Sequence, residues 1–224
     1  MPVTVNTAAV SKRLTKKATV KIELQTTGTS DDAFLDGLID QTSDFIVKET
    51  GRTFAKETVT ETLPSDGNVR LYLSRRPVLS VSQVRLDGST ISSTKYTIDN
   101  SSAGCLFNED GWNSTMLQVH HITSRPLHEG KRDWAVDYVA GFVTPGDVEA
   151  TTETTGTTAY PVRTLPRDLE RAAIDMVKTM FLRRDEDTKL KHQSVDDTFE
   201  ILVDSALTPS TLRILERWRS FDIS

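Results

Sequence analysis

The sequence predicts an α+β fold: two long antiparallel-packed helices with an inserted small antiparallel β-domain, plus an extended C-terminal tail with a short helix. Two segments repeat apolar residues at steps of three and four, which is typical of helices with one buried face. Between them, apolar residues recur at steps of two, as in half-buried strands. The last forty residues begin with a polar stretch, so we expect a tail there.

This fold class divides the chain into three parts. Residues 1–27 are expected to form an N-terminal arm with a short helix. Residues 28–185 form the helical core, which contains the β-domain (about 56–142) and a threonine-rich loop at residues 144–164. Residues 186–224 are expected to form a C-terminal docking tail.

The composition indicates a soluble globular protein, with 37% hydrophobic and 26% charged residues. No apolar run approaches the roughly 20 residues that a membrane-spanning helix needs, and the first residues lack the apolar segment of a secretory signal. Cys105 is the single cysteine, which excludes an internal disulfide framework and suits a reducing compartment. We therefore expect no membrane partner.

The N-terminal arm is strongly basic within a chain of net charge −5. Residues 1–25 contain Glu23 as their single acidic residue, and five basic residues: Lys12, Arg13, Lys16, Lys17 and Lys21. A short helix is expected over residues 6–15, capped by Asn6 or Thr7. An acidic chain is a poor general ligand for phosphate backbones, so we expect a solvated helix face. A DNA-binding module built on Lys12–Lys21 stays open as an alternative.

The first long helix is predicted over Ser30–Gly51. Ser30 is expected to be its N-cap, and Asp31 and Asp32 place negative charge at the positive end of the helix dipole. Gly51 follows the last apolar residue, where glycine most easily forms a left-handed C-cap. The apolar face consists of these residues: Phe34, Leu35, Leu38, Ile39, Thr42, Phe45 and Ile46.

The β-domain is predicted where the apolar period changes to two. Lys56–Leu63 and Val69–Leu73 are separated by turn-forming residues at 64–67, so the pair is expected to form a hairpin. Further strands are predicted at Val78–Leu86, residues 95–99, 104–107 and 116–122, and Trp134–Ala140. Short strands at this spacing indicate a small antiparallel sheet or barrel.

The second long helix is predicted to begin at Pro166, because proline suits the first helical position. Its apolar stripe consists of Leu169, Ala173, Met176, Val177, Met180 and Phe181. In the tail, residues 198–203 form a strand candidate, and Thr208-Pro209 precede a final helix over Ser210–Arg219. This helix either docks on another chain or folds back onto its own domain; both alternatives stay open.

The sequence contains no recognised catalytic or metal-binding motif, so we expect no enzyme activity, cofactor or metal. Cys105 lies in an apolar strand candidate, where a small buried hydrophobe is the expected role. His120 and His121 would point to opposite faces of a strand and cannot share a metal ion. A hydrolase built on Cys105 or on the acidic pairs at residues 31–32 and 196–197 remains an alternative.

The order of several structural motifs is more informative than any one of them. These motifs are Glu49–Phe54, Leu73–Val78, Val81–Val84, Tyr96–Asp99, Val136–Phe142 and Leu165–Ala172. Over residues 28–185, this order resembles the head–tail connector (adaptor, or head-completion) proteins of tailed bacteriophages and of related phage-like gene transfer particles. The interval at residues 144–164 is longer than the resemblance leads us to expect.

The resemblance implies a structural protein without enzymatic activity. Such adaptors assemble in the host cytoplasm into a ring, usually a dodecamer, beneath the portal protein in the virion neck. The ring joins the DNA-filled head to the head-closure (stopper) or tail proteins, and genomic DNA passes through its lumen without sequence-specific binding. In related connectors the C-terminal segment embeds in the portal, which makes the candidate docking residues here Leu212, Leu215, Trp218 and Arg219. Another neck or tail-completion protein is an alternative, although the two long helices argue against it.

Overall fold

The computed structural model has the α+β fold that the sequence predicts. It describes residues 2–65, 67–112, 134–148, 163–184 and 207–219. The chain divides into two compact units, which we name the β unit (residues 1–9 and 55–142) and the helical unit (residues 10–54 and 143–224).

The described residues of the β unit form two antiparallel sheets. Its strands are β1 (Val3–Thr7), β2 (Glu57–Leu63), β3 (Arg70–Tyr72), β4 (Val78–Leu86), β5 (Ser89–Thr90), β6 (Thr97–Asn100), β7 (Cys105–Phe107) and β8 (Trp134–Ala140). The larger sheet has the strand order β1-β2-β8-β4-β5, and the smaller sheet has the order β3-β7-β6. A 3-10 turn at Ser93–Lys95 precedes β6.

Buried and partly exposed residues alternate strictly along β2 and β8, and the buried ones form part of the core of the β unit. Val59 lies opposite Tyr138 and Leu63 lies opposite Trp134, and all four side chains are buried. The intervening residues form the opposite face of the sheet, so the period of two separates core from surface as predicted. Trp112 packs edge-on against Trp134 with ring centroids 5.0 Å apart, so both tryptophans belong to this core.

The predicted hairpin of Lys56–Leu63 with Val69–Leu73 is wrong. β2 pairs with β1 and β8, whereas β3 pairs with β7 in the other sheet. The partners of β2 come from distant parts of the chain, and a turn signal between two neighbouring strands carries no information about such pairings.

The predicted helix over residues 6–15 is also wrong. Val3–Thr7 forms β1, and the short helix of the N-terminal arm, α1, lies at Lys17–Leu24 instead. Valine and threonine favour strands, and residues 3–5 and 7 pair with residues 58–61 of β2, with a register shift between residues 5 and 7. Tertiary pairing with β2 thus decides the structure of this segment.

The helical unit contains α1, α2 (Asp32–Thr50), α3 (Arg167–Arg183) and α4 (Pro209–Trp218), with one further helical turn at residues 145–148. Both predicted apolar stripes face the interior, except that Phe34 is 42% exposed and that Phe45 and Phe181 are half-buried. α3 contacts each of α1, α2 and α4. The beginning of α2 lies against the end of α3, because the Phe34 and Phe181 ring centroids are 6.1 Å apart.

The helix ends agree with the sequence in part. Gly51 has φ 64° and is the left-handed C-cap of α2, as predicted. Ser30 is not its N-cap, because Asp31 holds that position without a side-chain capping bond. Pro166 precedes α3 as its N-cap instead of being its first residue. Thr208 caps α4, accepting a hydrogen bond from the Thr211 amide at 3.2 Å.

Several predictions lie outside the described residues. These are the strands at residues 116–122 and 198–203, most of the loop at residues 144–164, the acidic pair at residues 196–197, and His120 and His121.

Candidate functional site

The C-terminal helix α4 packs against α2 and α3 within the helical unit. Thr211 and Leu215 form its inner side and are 1% and 3% exposed. Leu212 lies on the outer side and is 41% exposed. The helix therefore has a buried side turned toward its own unit and an exposed side that carries Leu212.

The end of α4 is held by an aromatic and cationic cluster. The rings of Trp218 and Phe54 meet edge to face, with centroids 6.2 Å apart. The Arg52 guanidinium lies 5.3 Å from the centroid of Trp218 and 5.7 Å from that of Phe54, within the range of cation–π attraction. Trp218 also donates from Nε1 to Asp168 Oδ2 at 3.1 Å.

Arg219 completes this attachment through an ion pair with Glu49 near the end of α2. Arg217 adds a longer, more exposed contact of 3.3 Å to Asp168. We name the residues that receive the end of α4 the α4 cradle; its members are Glu49, Arg52, Phe54 and Asp168. The cradle therefore joins the end of α2 to the beginning of α3.

The four predicted docking residues thus have different environments. Leu215, Trp218 and Arg219 contact the helical unit itself, and Leu212 remains exposed. In this structure α4 adopts the folded-back arrangement, one of the two alternatives that the sequence leaves open. Docking on a portal stays a prediction, and the exposed side of α4 is the surface available for it.

The basic N-terminal segment lies along α2 as a ladder of ion pairs. Its cations are spaced four residues apart, as are the carboxylates that face them in antiparallel order. We name this set the charge ladder; its members are Arg13, Lys17 and Lys21 with Asp40, Asp36 and Asp32.

Arg13 makes the most hydrogen bonds within the charge ladder. Its guanidinium binds both oxygens of Asp40, at 2.6 and 2.8 Å, and reaches Asp36 at 2.7 Å. The hydrogen bond that Arg13 donates to the Asp40 carboxylate raises the pKa of the guanidinium. Leu14 follows it directly, is fully buried, and has its amide bound to Ser43 Oγ at 3.1 Å. The segment is thus fixed by charge and by an apolar anchor together.

The other end of the charge ladder is formed by Lys21 and Asp32. Lys21 Nζ lies 2.6 Å from Asp32 Oδ1, and this bond lowers the pKa of the Asp32 carboxyl. Lys17 binds Asp36 at 2.8 Å. Three of the five basic residues of the arm are therefore neutralised by α2, which leaves little charge for a phosphate backbone.

Glu170, in the first turn of α3, is a carboxylate in a different environment. It is 9% exposed and lies 2.5 Å from Arg163. Burial raises the pKa of the Glu170 carboxyl, although Arg163, Lys16 and Arg167 oppose that shift. The folded protein therefore disfavours the ionised form of Glu170, whereas it favours the ionised form of Asp32.

A buried carboxylate in the β unit is fully engaged in hydrogen bonds. Glu61 has no exposed surface, and its Oε2 accepts from Tyr138 Oη at 2.6 Å and from the Ser74 amide at 3.0 Å. The Arg75 amide donates to Tyr138 Oη at 3.2 Å. Burial, and then the Glu61 charge, raise the pKa of Tyr138. The arrangement fastens residues 74–75 to the sheet, which is a structural role.

Cys105 does not have the environment of a nucleophile. It is 3% exposed, and burial together with the Asp99 carboxylate raises the pKa of its thiol. Asp31 and Asp32, the other candidates for chemistry, are paired with Arg184 and Lys21. Across the described part of the chain, no group of three or more histidine, cysteine or carboxylate side chains is arranged to hold a metal ion. Within the same residues, no helix is long and apolar enough to cross a bilayer.

Sequence reasoning did not identify the charge ladder or the α4 cradle. The ladder has a visible signal, since both halves repeat at intervals of four residues, which is the spacing of one helical face. The α4 cradle has no such signal in the sequence, because Phe54 and Asp168 lie far apart along the chain.

Comparison with known proteins finds similarity at the level of structure. No protein-family model and no curated protein matches the sequence. A chain from the neck of an empty gene transfer agent (GTA) particle, computed with C6 symmetry, is 16% identical with a TM-score of 0.58, covering 100% of this chain and 98% of that one. A chain from the neck of a native GTA particle, computed with C12 symmetry, is 15% identical with a TM-score of 0.56 and the same coverage, 100% and 98%.

A third match is a chain from the virion of a native GTA particle. It is 16% identical with a TM-score of 0.56, and again the match covers 100% of this chain and 98% of that chain. The chain therefore has the fold of these gene transfer agent proteins, as its resemblance to head–tail connector proteins predicts.

Proposed function

We propose that this chain is a structural head–tail connector (adaptor) subunit in the neck of a tailed phage or phage-like particle. The main support is the fold shared over 100% of the chain with a protein from a GTA neck computed with C12 symmetry. A cyclic ring needs two different contact surfaces on each copy. The proposed assembled state is such a ring, with twelve copies seated beneath the portal.

In this role the ring joins the DNA-filled head to the stopper or tail proteins and lets genomic DNA pass. Assembly takes place in the host cytoplasm, and the ring has no enzymatic activity. The net charge of −5 supports a lumen that does not retain phosphates. Pairing of Arg13, Lys17 and Lys21 with α2 further reduces the positive charge available to DNA.

Portal docking is assigned to α4. Leu212 supplies the apolar contact, because it is an exposed apolar member of the predicted docking set. Leu215, Trp218 and Arg219 hold the helix in position through their contacts with the helical unit. An amphipathic helix presented on a folded unit is a common recognition element.

The docking assignment is tested with Leu212→Asp, which places a charge on the exposed side of α4. We expect loss of binding to the portal in a pull-down assay, with an unchanged melting temperature, because Leu212 is 41% exposed. The matched control is Leu79→Asp in the β unit, since Leu79 is 48% exposed. Portal binding by Leu212→Asp at the level of the unmodified protein would sink the assignment.

Sequence-independent DNA binding through Lys12–Lys21 is the alternative from another functional class. It requires cations that are free to replace counterions on phosphates, whereas Arg13 already binds two carboxylates. The alternative predicts an affinity for duplex DNA that falls by orders of magnitude between about 50 and 200 mM salt. A titration that finds such a dependence would favour it.

A further inference from the structure

The α4 cradle has one property that the proposed function does not use. It receives its helix from a segment that is connected to the rest of the helical unit by a long stretch of sequence. The 25 residues from 184 to 208 separate the last residue of α3 from the first residue of α4. The geometry of the cradle therefore does not depend on which copy of the chain supplies α4.

An empty cradle would be unfavourable. Phe54 is 1% exposed and Leu215 is 3% exposed while α4 is in place, and both would meet water if α4 left. Asp168 would lose the Trp218 indole, and Glu49 would lose Arg219. A segment that refills the cradle must therefore carry the same residues at the same spacing, and α4 of a second copy satisfies this requirement.

The connecting sequence is long enough to reach a neighbour. At about 3.4 Å per residue, 25 residues span at most about 85 Å. A compact unit of the size of the helical unit has a radius of gyration of about 14 Å, so two such units in contact lie about 36 Å apart. The reach exceeds this separation about twofold.

We propose that, in the assembled ring, α4 of each copy occupies the cradle of the adjacent copy. This inference rests on the proposed function, because it requires a ring. The exchange replaces every contact of α4 by an identical one, so it loses none of them and links each copy covalently to its neighbour's fold. Leu212 keeps its outward position in both arrangements, so portal docking through α4 is compatible with the exchange.

The test places two cysteines on one chain, Glu49→Cys and Arg219→Cys, at the ion pair between α4 and its cradle. Equal amounts of unlabelled and 15N-labelled monomer are mixed and assembled on the portal of the same particle. A short bifunctional thiol reagent then joins the two positions, and mass spectrometry identifies the linked peptides. In the ring fraction, about half of the linked pairs should contain one light and one heavy peptide, the random value for exchange between copies. The monomer fraction should contain no mixed pairs.

The matched control is the double variant Glu23→Cys and Lys178→Cys, at the ion pair between α1 and α3. It should give unmixed pairs in both fractions. Rings whose α4 pairs are all unmixed would overturn the exchange and leave the proposed function intact. Failure of the unmodified protein to form rings on the portal would overturn the proposed function and the exchange together. Mixed pairs in the control would show that the reagent links neighbouring copies at random, and this result would also overturn the exchange.

Discussion

The basic segment before α2 and the helix α4 both lie on the helical unit, but different interactions hold them there. Arg13, Lys17 and Lys21 pair with carboxylates at successive turns of α2, and these side chains are partly exposed. α4 buries Leu215 and ends in the contact of Trp218 with the cradle. The first attachment combines a row of ion pairs with the apolar anchor at Leu14. The second is concentrated on a buried leucine and an aromatic contact, with ion pairs at its end.

This difference determines how each segment responds to conditions. Ion pairs between partly exposed groups weaken with salt, and those that involve carboxylates weaken in acid. Apolar and aromatic contacts are less sensitive to salt and to pH than these ion pairs are. The charge ladder also fixes the register of its segment, because its three cations reach carboxylates on three successive turns of α2. α4, by contrast, is a separate helix that follows a connection of 25 residues. α4 is therefore the better candidate for an element that changes partner.

The largest effect is expected from Leu215→Ala. Removing a buried leucine side chain costs about 2–5 kcal/mol of unfolding free energy, since it leaves a cavity beneath α4. Leu212→Ala, on the exposed side of the same helix, should change that free energy by less than about 0.5 kcal/mol. Urea unfolding of both variants measures the difference, and equal losses would show that α4 does not pack through Leu215.

An intermediate effect is expected from Arg13→Ala. Exposed ion pairs contribute about 0.2–1 kcal/mol each, and Arg13 contacts both Asp36 and Asp40. We expect a loss of about 0.4–2 kcal/mol of unfolding free energy at low salt, which shrinks as salt screens the pairs. Arg183→Ala, at an exposed position near the end of α3, serves as the control. A loss that is independent of salt would assign the role of Arg13 to packing.

The smallest effects are expected from two carboxylates with opposite pKa shifts. The bond to Lys21 lowers the pKa of Asp32, so its stabilisation is present above the unfolded value of about 3.9 and is lost as the pH falls through the folded value. Burial raises the pKa of Glu170, so its ionisation lowers stability as the pH rises through the folded value. Asp32→Asn should therefore destabilise at pH 7 but not in acid, whereas Glu170→Gln should not destabilise at pH 7.

Unfolding of both variants at neutral pH and in acid measures this contrast. A loss in Glu170→Gln as large as that in Asp32→Asn at pH 7 would mean that the Arg163 pair outweighs the burial of the carboxylate.

The parts of the fold that sequence predicts are those set by local periodicity. The stripe on α2 and the alternation of β8 each follow from the spacing of apolar residues within one element. The cap at Gly51 follows from the φ that only glycine adopts easily. Each of these features needs no knowledge of a distant partner.

The remaining features depend on partners from elsewhere in the chain. β2 joins β1 and β8 because of pairings across long sequence separations, which the turn at residues 64–67 does not reveal. The α4 cradle brings Phe54 next to Trp218, and nothing in either local sequence indicates the other. The charge ladder could have been predicted from the sequence, because the cations and the carboxylates each repeat every four residues.

The central claim is that this chain is a ring-forming connector subunit, and mass measurement tests it most directly. The purified protein is measured alone and after mixing with the portal of the same particle. We expect a monomer of 24.9 kDa in isolation and a ring, of twelve copies, bound to each portal. A protein that stays monomeric in the presence of the portal, or that binds it as isolated copies without closing a ring, would contradict the claim.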